Sequence, residues 1–198
     1  PVKGVTAPRG DKAYGSHERL PYTKATPLQG RFPYDVSKSC ADLITLSYFH
    51  TYRLPVAITR CGNLFGGGDL NWNRLVPGTI RSALRGETPI IRSDGTPLRD
   101  YLYVADGVSA YLTLAEALSQ QRDLAGLSFN FGHRQPVSVL GLVEKILKAC
   151  GRPDLVPEVR GEAEHEILDQ YLDSSRVREM LGWNAQFTHE EGLERAVA

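Results

Sequence analysis

A chain of 198 residues, 41% of them hydrophobic, is long enough to bury one sizeable core or two small ones. Its 23 basic and 23 acidic residues cancel, which argues against a broad electrostatic footprint for nucleic acid or an anionic membrane. No apolar run nears the ~20 residues that span a bilayer, and no charged start leads into an apolar stretch, so the sequence reads as cytoplasmic.

The first ten residues include Pro1, Gly4, Pro8 and Gly10, so little of this stretch is expected in a central strand. Residues 33–52 read as a helix, with Pro33 in the favourable first turn and apolar residues at Cys40, Leu43, Ile44, Tyr48 and Tyr52. Residues 55–61 form a short β-branched run suited to a buried parallel strand, followed by a glycine-rich loop. A helix is predicted over 74–85, strands over 89–92 and 98–104, and an apolar helix over 105–119. Residues 127–132 read as a strand, and Ser138 caps a helix that runs to Cys150 and ends at Gly151. Short helices over 174–181 and 188–197 complete an α/β pattern without repeats.

Within the first helix, Tyr34 and Lys38 stand four residues apart, a spacing that stacks two side chains on one face. A phenol ordinarily titrates near ~10, and a neighbouring cation favours the phenolate. Bringing it to about 7 takes roughly 4 kcal/mol, which a lysine and a positively charged cofactor ring can supply together. Alone, the pair also describes a surface tyrosine with a snorkelling lysine. Cys40, Cys61 and Cys150 are scattered without metal-ligand spacing and read as reduced, mostly buried thiols. The five histidines are dispersed, and no metal site is expected. Gly66-Gly67-Gly68-Asp69 lacks the spacing of a dinucleotide loop and reads as a permissive turn after a strand.

Four stretches carry a more specific pattern: Asp11 to Gly15, Tyr34 to Lys38, Thr59 to Trp72, and Arg92 to Val104. In this order and spacing, with Leu181-Gly182-Trp183 near the end, the chain resembles the C-terminal part of extended short-chain dehydrogenases/reductases acting on nucleotide sugars. Among these it is most similar to the CDP-glucose 4,6-dehydratases. The resemblance implies a partial Rossmann-like, doubly wound parallel sheet joined to a smaller α/β substrate-binding region. Residues 1–73 would belong to the dinucleotide-binding domain with the catalytic helix, and 74–198 mainly to the nucleotide-sugar region, with some segments returning to the sheet.

By that resemblance the cofactor is NAD and the substrate a nucleotide sugar, CDP-glucose before others. Tyr34 is the base that takes the proton from the sugar 4-hydroxyl, while Lys38 holds the nicotinamide ribose and keeps the phenol acidic. Cys61 falls among the cofactor-binding positions. Asp11 is the acid for the departing 6-hydroxyl and Lys12 the base or electrostatic partner at carbon 5, which requires both to titrate nearer neutrality than usual. Asn63 contacts the sugar diphosphate, Arg74 and Arg99 neutralise phosphate, Arg92 lies where the base packs, and Glu166 touches the nucleotide sugar. Without the resemblance, Asp11 and Lys12 read as turn residues in solvent and each arginine as a surface charge.

One position departs from the pattern. Gly10 stands where the family carries a Ser or Thr that hydrogen-bonds the reacting oxygen, and losing such a donor costs about a hundredfold. The resemblance further implies that the chain lacks the N-terminal dinucleotide-binding segment. A sheet edge and apolar faces are then left uncovered, with aggregation or oligomerisation as the consequence. The helix carrying Tyr34 and Lys38 is the expected homodimer surface. A sugar-nucleotide 4-epimerase, and a remnant that binds nucleotide sugar without redox chemistry, are the alternative readings.

Overall fold

The computed structural model describes residues 5–162 and 167–198, with the backbone alone over 5–9. Its central layer is a three-stranded parallel sheet in the order β1 (Val5–Gly10), β2 (Val56–Cys61), β7 (Ser128–Phe131). All six residues of β2 are buried, as a β-branched strand with neighbours on both sides and both faces should be. The register runs from Val5 opposite Val56 to Gly10 opposite Cys61, and from Ile58 opposite Ser128 to Cys61 opposite Phe131.

Alternate residues of β2 serve opposite faces. Arg60 turns to the face covered by α1 (Pro33–Tyr52), where it bonds Asp42. Ala57 and Cys61 turn to the other, where Ala110, Leu114 and Leu118 of α3 (Val104–Gln120) pack with Phe129, Phe131 and Trp183. Helices on both faces of a parallel sheet make the layer doubly wound, as the resemblance implies.

The first strand lies at an edge of the sheet among the described residues, in keeping with the expectation that little of this stretch is a central strand. Despite Pro8 and Gly10, residues 5–10 form a full strand paired to β2. Among the described residues β1 has a neighbour on one side only, and an edge strand tolerates a residue without a donor.

The other strands pair in twos. β3 (Asn63–Phe65) runs parallel to β6 (Tyr101–Tyr103), β4 (Ile90–Ile91) parallel to β9 (Glu158–Val159), and β5 (Leu98–Arg99) antiparallel to β8 (Val137–Ser138). Three helices, α2 (Leu75–Arg85), α4 (Val139–Ala149) and α6 (His189–Val197), pack around Phe65, Val76, Tyr101, Leu142, Ile146 and Leu193. Ser138 caps α4 by accepting from the Gly141 amide at 3.0 Å, and Gly151, at φ 68°, turns the chain away behind it. The short helix α5 (Ser175–Leu181) packs beside β7.

α1 has the predicted bounds but an unexpected orientation. Asp35, Ser39 and Asp42 are its buried residues, whereas Leu43, Ile44, Tyr48 and Tyr52 are 57, 58, 51 and 66% exposed. Cys40 lies on the exposed side too, against the expectation of a buried thiol. The polar side faces inward because it has buried partners there.

Candidate functional site

Gly10 and Cys61 are in register at the ends of parallel strands, so Asp11-Lys12 and Asn63 leave the sheet at the same end. Asp11–Tyr14 forms a single 3-10 turn closed by Gly15 at φ 72°. A Cβ on Gly15 would lie 1.9 Å from the Gln29 carbonyl oxygen, so only glycine fits.

A buried polar network anchors this turn. Ser39 of α1 donates to the Ala13 carbonyl at 2.8 Å. Arg60 donates to both carboxylate oxygens of Asp42, at 2.8 and 3.1 Å, and to the Tyr14 hydroxyl at 2.8 Å. Tyr14 in turn donates to Asn130 at 2.7 Å, and Asn130 to the Tyr22 carbonyl at 2.9 Å. Helix, turn and two strands are thereby held in one geometry, and every buried member of this chain of bonds is satisfied through another.

Asp11 is 2% exposed, and one of its carboxylate oxygens is buried without a partner among the described residues. Burial pushes its titration up from 3.8 to about 7, against the pull of Lys12 and with a further push from Asp100. Asp100, fully buried, is raised to about 6 by its own desolvation, opposed by backbone N–H bonds from His133 and Leu172. A carboxyl that keeps its proton near neutrality suits a general acid. Lys12 extends from the turn to the side-chain oxygen of Gln170, at 2.5 Å.

Beside the turn opens a cleft of about 610 Å³. Five of the residues singled out in the sequence line it: Lys12, Asn63, Arg74, Arg92 and Arg99. They are not equivalent. Arg74 and Arg92 are exposed, and Arg74 is paired with Asp69 at 2.8 Å. Arg99 is 4% exposed, and its guanidinium donates to the carbonyls of Ile167 and Leu168, both at 2.5 Å. Asn63 is anchored through its backbone N–H, which donates to the Asp100 carbonyl at 2.7 Å.

Tyr34 and Lys38 stand at the start of α1, outside that lining. They converge as their spacing predicts: the Lys38 ammonium lies 5.0 Å from the centroid of the Tyr34 ring, which is 60% exposed. An exposed phenol next to a half-buried ammonium leaves the pair accessible at the start of α1. Cys61 sits elsewhere, its side chain in the core under α3 and its thiol donating to the Tyr111 hydroxyl at 3.7 Å. Burial pushes that thiol up to about 12, and its side chain packs on the side of the sheet away from α1. Glu166 lies outside the described residues.

Several residues that build this region give little sign of themselves in the sequence. Arg60 and Asp100 fall inside two of the matched stretches, Thr59 to Trp72 and Arg92 to Val104, yet neither carries a local mark that sets it apart from its neighbours. Asp42, one helical turn beyond Lys38, is legible only as a polar residue among apolar ones. Gln170 has no local signal at all.

A parallel sheet wound on both faces, with charged groups gathered where its strands end, defines an α/β protein of dinucleotide-binding type. Residues 5–132 match the NAD dependent epimerase/dehydratase family, and the chain belongs to that family. It is 34% identical over 188 residues to the low-salt glycan biosynthesis protein Agl12 of Haloferax volcanii, covering 94% of this chain and 58% of the relative. It is 30% identical over 209 residues to a CDP-glucose 4,6-dehydratase of Salmonella typhimurium, covering 99 and 58%. A solved dTDP-glucose 4,6-dehydratase of Bacillus anthracis, in complex with NAD, superposes with a TM-score of 0.83 at 27% identity, covering 98% of this chain and 60% of that one. The chain thus spans less than two thirds of the length of these relatives.

These matches correct the expectation of a C-terminal portion of one enzyme, a CDP-glucose 4,6-dehydratase, to membership of the family along nearly the whole of this chain. The alignments run along 94, 99 and 98% of this chain, and the family match begins at residue 5, ahead of the first quoted stretch at Asp11. Relatives named for different nucleotides match to similar extents, so the assignment is to the family and not to one member.

Proposed function

We propose that this chain carries the sugar-transforming site of a nucleotide-sugar 4,6-dehydratase, with NAD as cofactor and CDP-glucose as the first substrate to test. NAD, when bound, supplies the reversible hydride acceptance that oxidation at carbon 4 and reduction at carbon 6 require. Tyr34 takes the proton from the 4-hydroxyl, and the Lys38 ammonium beside its ring favours the phenolate. Once carbon 4 is a ketone, the proton on carbon 5 is acidic. Lys12 removes it or stabilises the enolate, and Asp11 protonates the 6-hydroxyl as it leaves as water. Arg74 and Arg99, both in the lining of the cleft, neutralise the diphosphate, a role that guanidinium geometry suits, and Arg92 lies beside the base.

The single observation that supports this most is the placement of Asp11: a buried carboxyl raised to about 7, next in the chain to Lys12, which lines the cleft with Arg74, Arg92, Arg99 and Arg160, on a turn bonded to α1. An epimerase needs the tyrosine and lysine but no such acid. The test is incubation with NAD and CDP-glucose, dTDP-glucose or UDP-glucose in turn, followed by the near-ultraviolet absorbance that a 4-keto sugar develops in base. A 4-keto-6-deoxy product supports dehydration, interconversion of 4-epimers without it supports epimerisation, and binding without turnover supports a remnant. We propose further that the outward apolar side of α1 packs against a second copy of the chain, which explains why Leu43, Ile44, Tyr48 and Tyr52 are exposed.

A further inference from the structure

The strap that follows the cleft, residues 167–173, is tied to the site at every turn. Arg99 donates to the carbonyls of Ile167 and Leu168, Asp169 accepts from the Leu98 amide at 2.8 Å, and Asp100 accepts from the Leu172 amide at 3.3 Å. At its centre Gln170 is fully buried, and its backbone donates to the Leu98 carbonyl at 2.9 Å and accepts from the Asp100 amide at 3.2 Å. The main chain therefore leaves its side chain little freedom. That side chain reaches Lys12, 158 positions away in sequence, with its oxygen 2.5 Å from the ammonium. Its amide nitrogen is buried without a partner among the described residues, an arrangement that a residue kept only for packing has no reason to adopt.

Resting on the dehydratase reading above, we infer that Gln170 is a positioning residue for Lys12, holding the ammonium beside Asp11 with a neutral acceptor. Neutrality is the point of the choice. A carboxylate here would bind the ammonium more tightly, but it would add one more acid to Asp11, Asp100 and Asp35, all buried around this turn, and bias Lys12 against releasing a proton. An amide oxygen fixes position while leaving the proton transferable between lysine and the carbon acid.

Competitive acetylation of Lys12 across pH, read by peptide mass spectrometry, requires no turnover and so tests the pairing independently of the dehydratase reading. In Gln170→Leu its titration midpoint is expected to fall by about one pH unit, the worth of one hydrogen bond to a charged group. In Gln170→Glu it is expected to rise. An unchanged midpoint in a folded variant overturns the inference, and Gln170→Glu decides the matter if the leucine variant fails to fold. With an active wild type, Gln170→Leu is expected to slow solvent deuterium incorporation at carbon 5 at least tenfold, while KM stays within twofold and the pH profile of turnover shifts with the Lys12 midpoint. Equal loss in oxidation and exchange, with no shift in the profile, marks a merely structural role and also overturns it. A wild type inactive on every nucleotide sugar defeats the dehydratase reading, and the acetylation result still decides the pairing.

Discussion

Replacing Asp42 by alanine strands a cation in the core, and the structure sets the scale of the damage. Asp42 is 0% and Arg60 5% exposed, and the guanidinium spends two of its N–H groups on that carboxylate. Its further partner within the network is the Tyr14 hydroxyl, itself already donating to Asn130. Breaking a buried pair from one side costs about 3–5 kcal/mol, since the remaining charge has lost both water and counter-ion. For a domain of this size each kcal/mol moves the melting temperature by roughly 2–4 °C, so Asp42→Ala should melt about 6–20 °C below the parent. Asp42→Asn keeps one acceptor and should lose less. The double replacement Asp42→Leu with Arg60→Met removes both charges together and should recover a large part of the loss, as buried pairs exchanged for apolar groups generally do. Urea unfolding of the parent and these variants, followed by circular dichroism, measures each loss and the extent of the recovery. A loss below about 1 kcal/mol in Asp42→Ala would refute the claim that this pair turns the polar side of α1 inward.

Asp11 gives stability a pH dependence with a definite sign. Because its native titration is raised from 3.8 to about 7, the folded state keeps a proton that the unfolded chain releases, so stability declines as pH rises through that window. Asp11→Asn does not ionise there and should be close to the parent near pH 4 but clearly more stable at pH 8, as measured by denaturant midpoints; parallel pH profiles would contradict the assignment. Gly10→Ser should fold normally, since a Cβ there meets nothing nearer than the Lys12 amide nitrogen at 4.0 Å. If the missing hydroxyl limits oxidation, this variant should raise turnover by about a hundredfold, and an unchanged rate would show that the family's donor is dispensable here. Ile44→Lys, on the exposed side of α1, should shift sedimentation from dimer to monomer without lowering the melting temperature; a dimer that persists would move the interface elsewhere.

Whatever depends on near neighbours in the chain is readable without coordinates. Helical spacing and Pro33 set the bounds of α1 and put Tyr34 and Lys38 on one face, and Ser138 with Gly151 punctuates α4. Motif order suffices to collect Lys12, Asn63, Arg74, Arg92 and Arg99, which line one cleft. The remainder waits on folding, because burial depends on what packs opposite. Packing turns the apolar side of α1 outward by giving Asp42 and Ser39 partners on β2 and on the Asp11–Tyr14 turn. It makes a strand of a proline-containing segment by supplying β2 as a partner, and it faces Cys61 toward α3. It also brings Gln170 to Lys12, a contact that no local pattern encodes, because it exists only after the strap has paired beside β5.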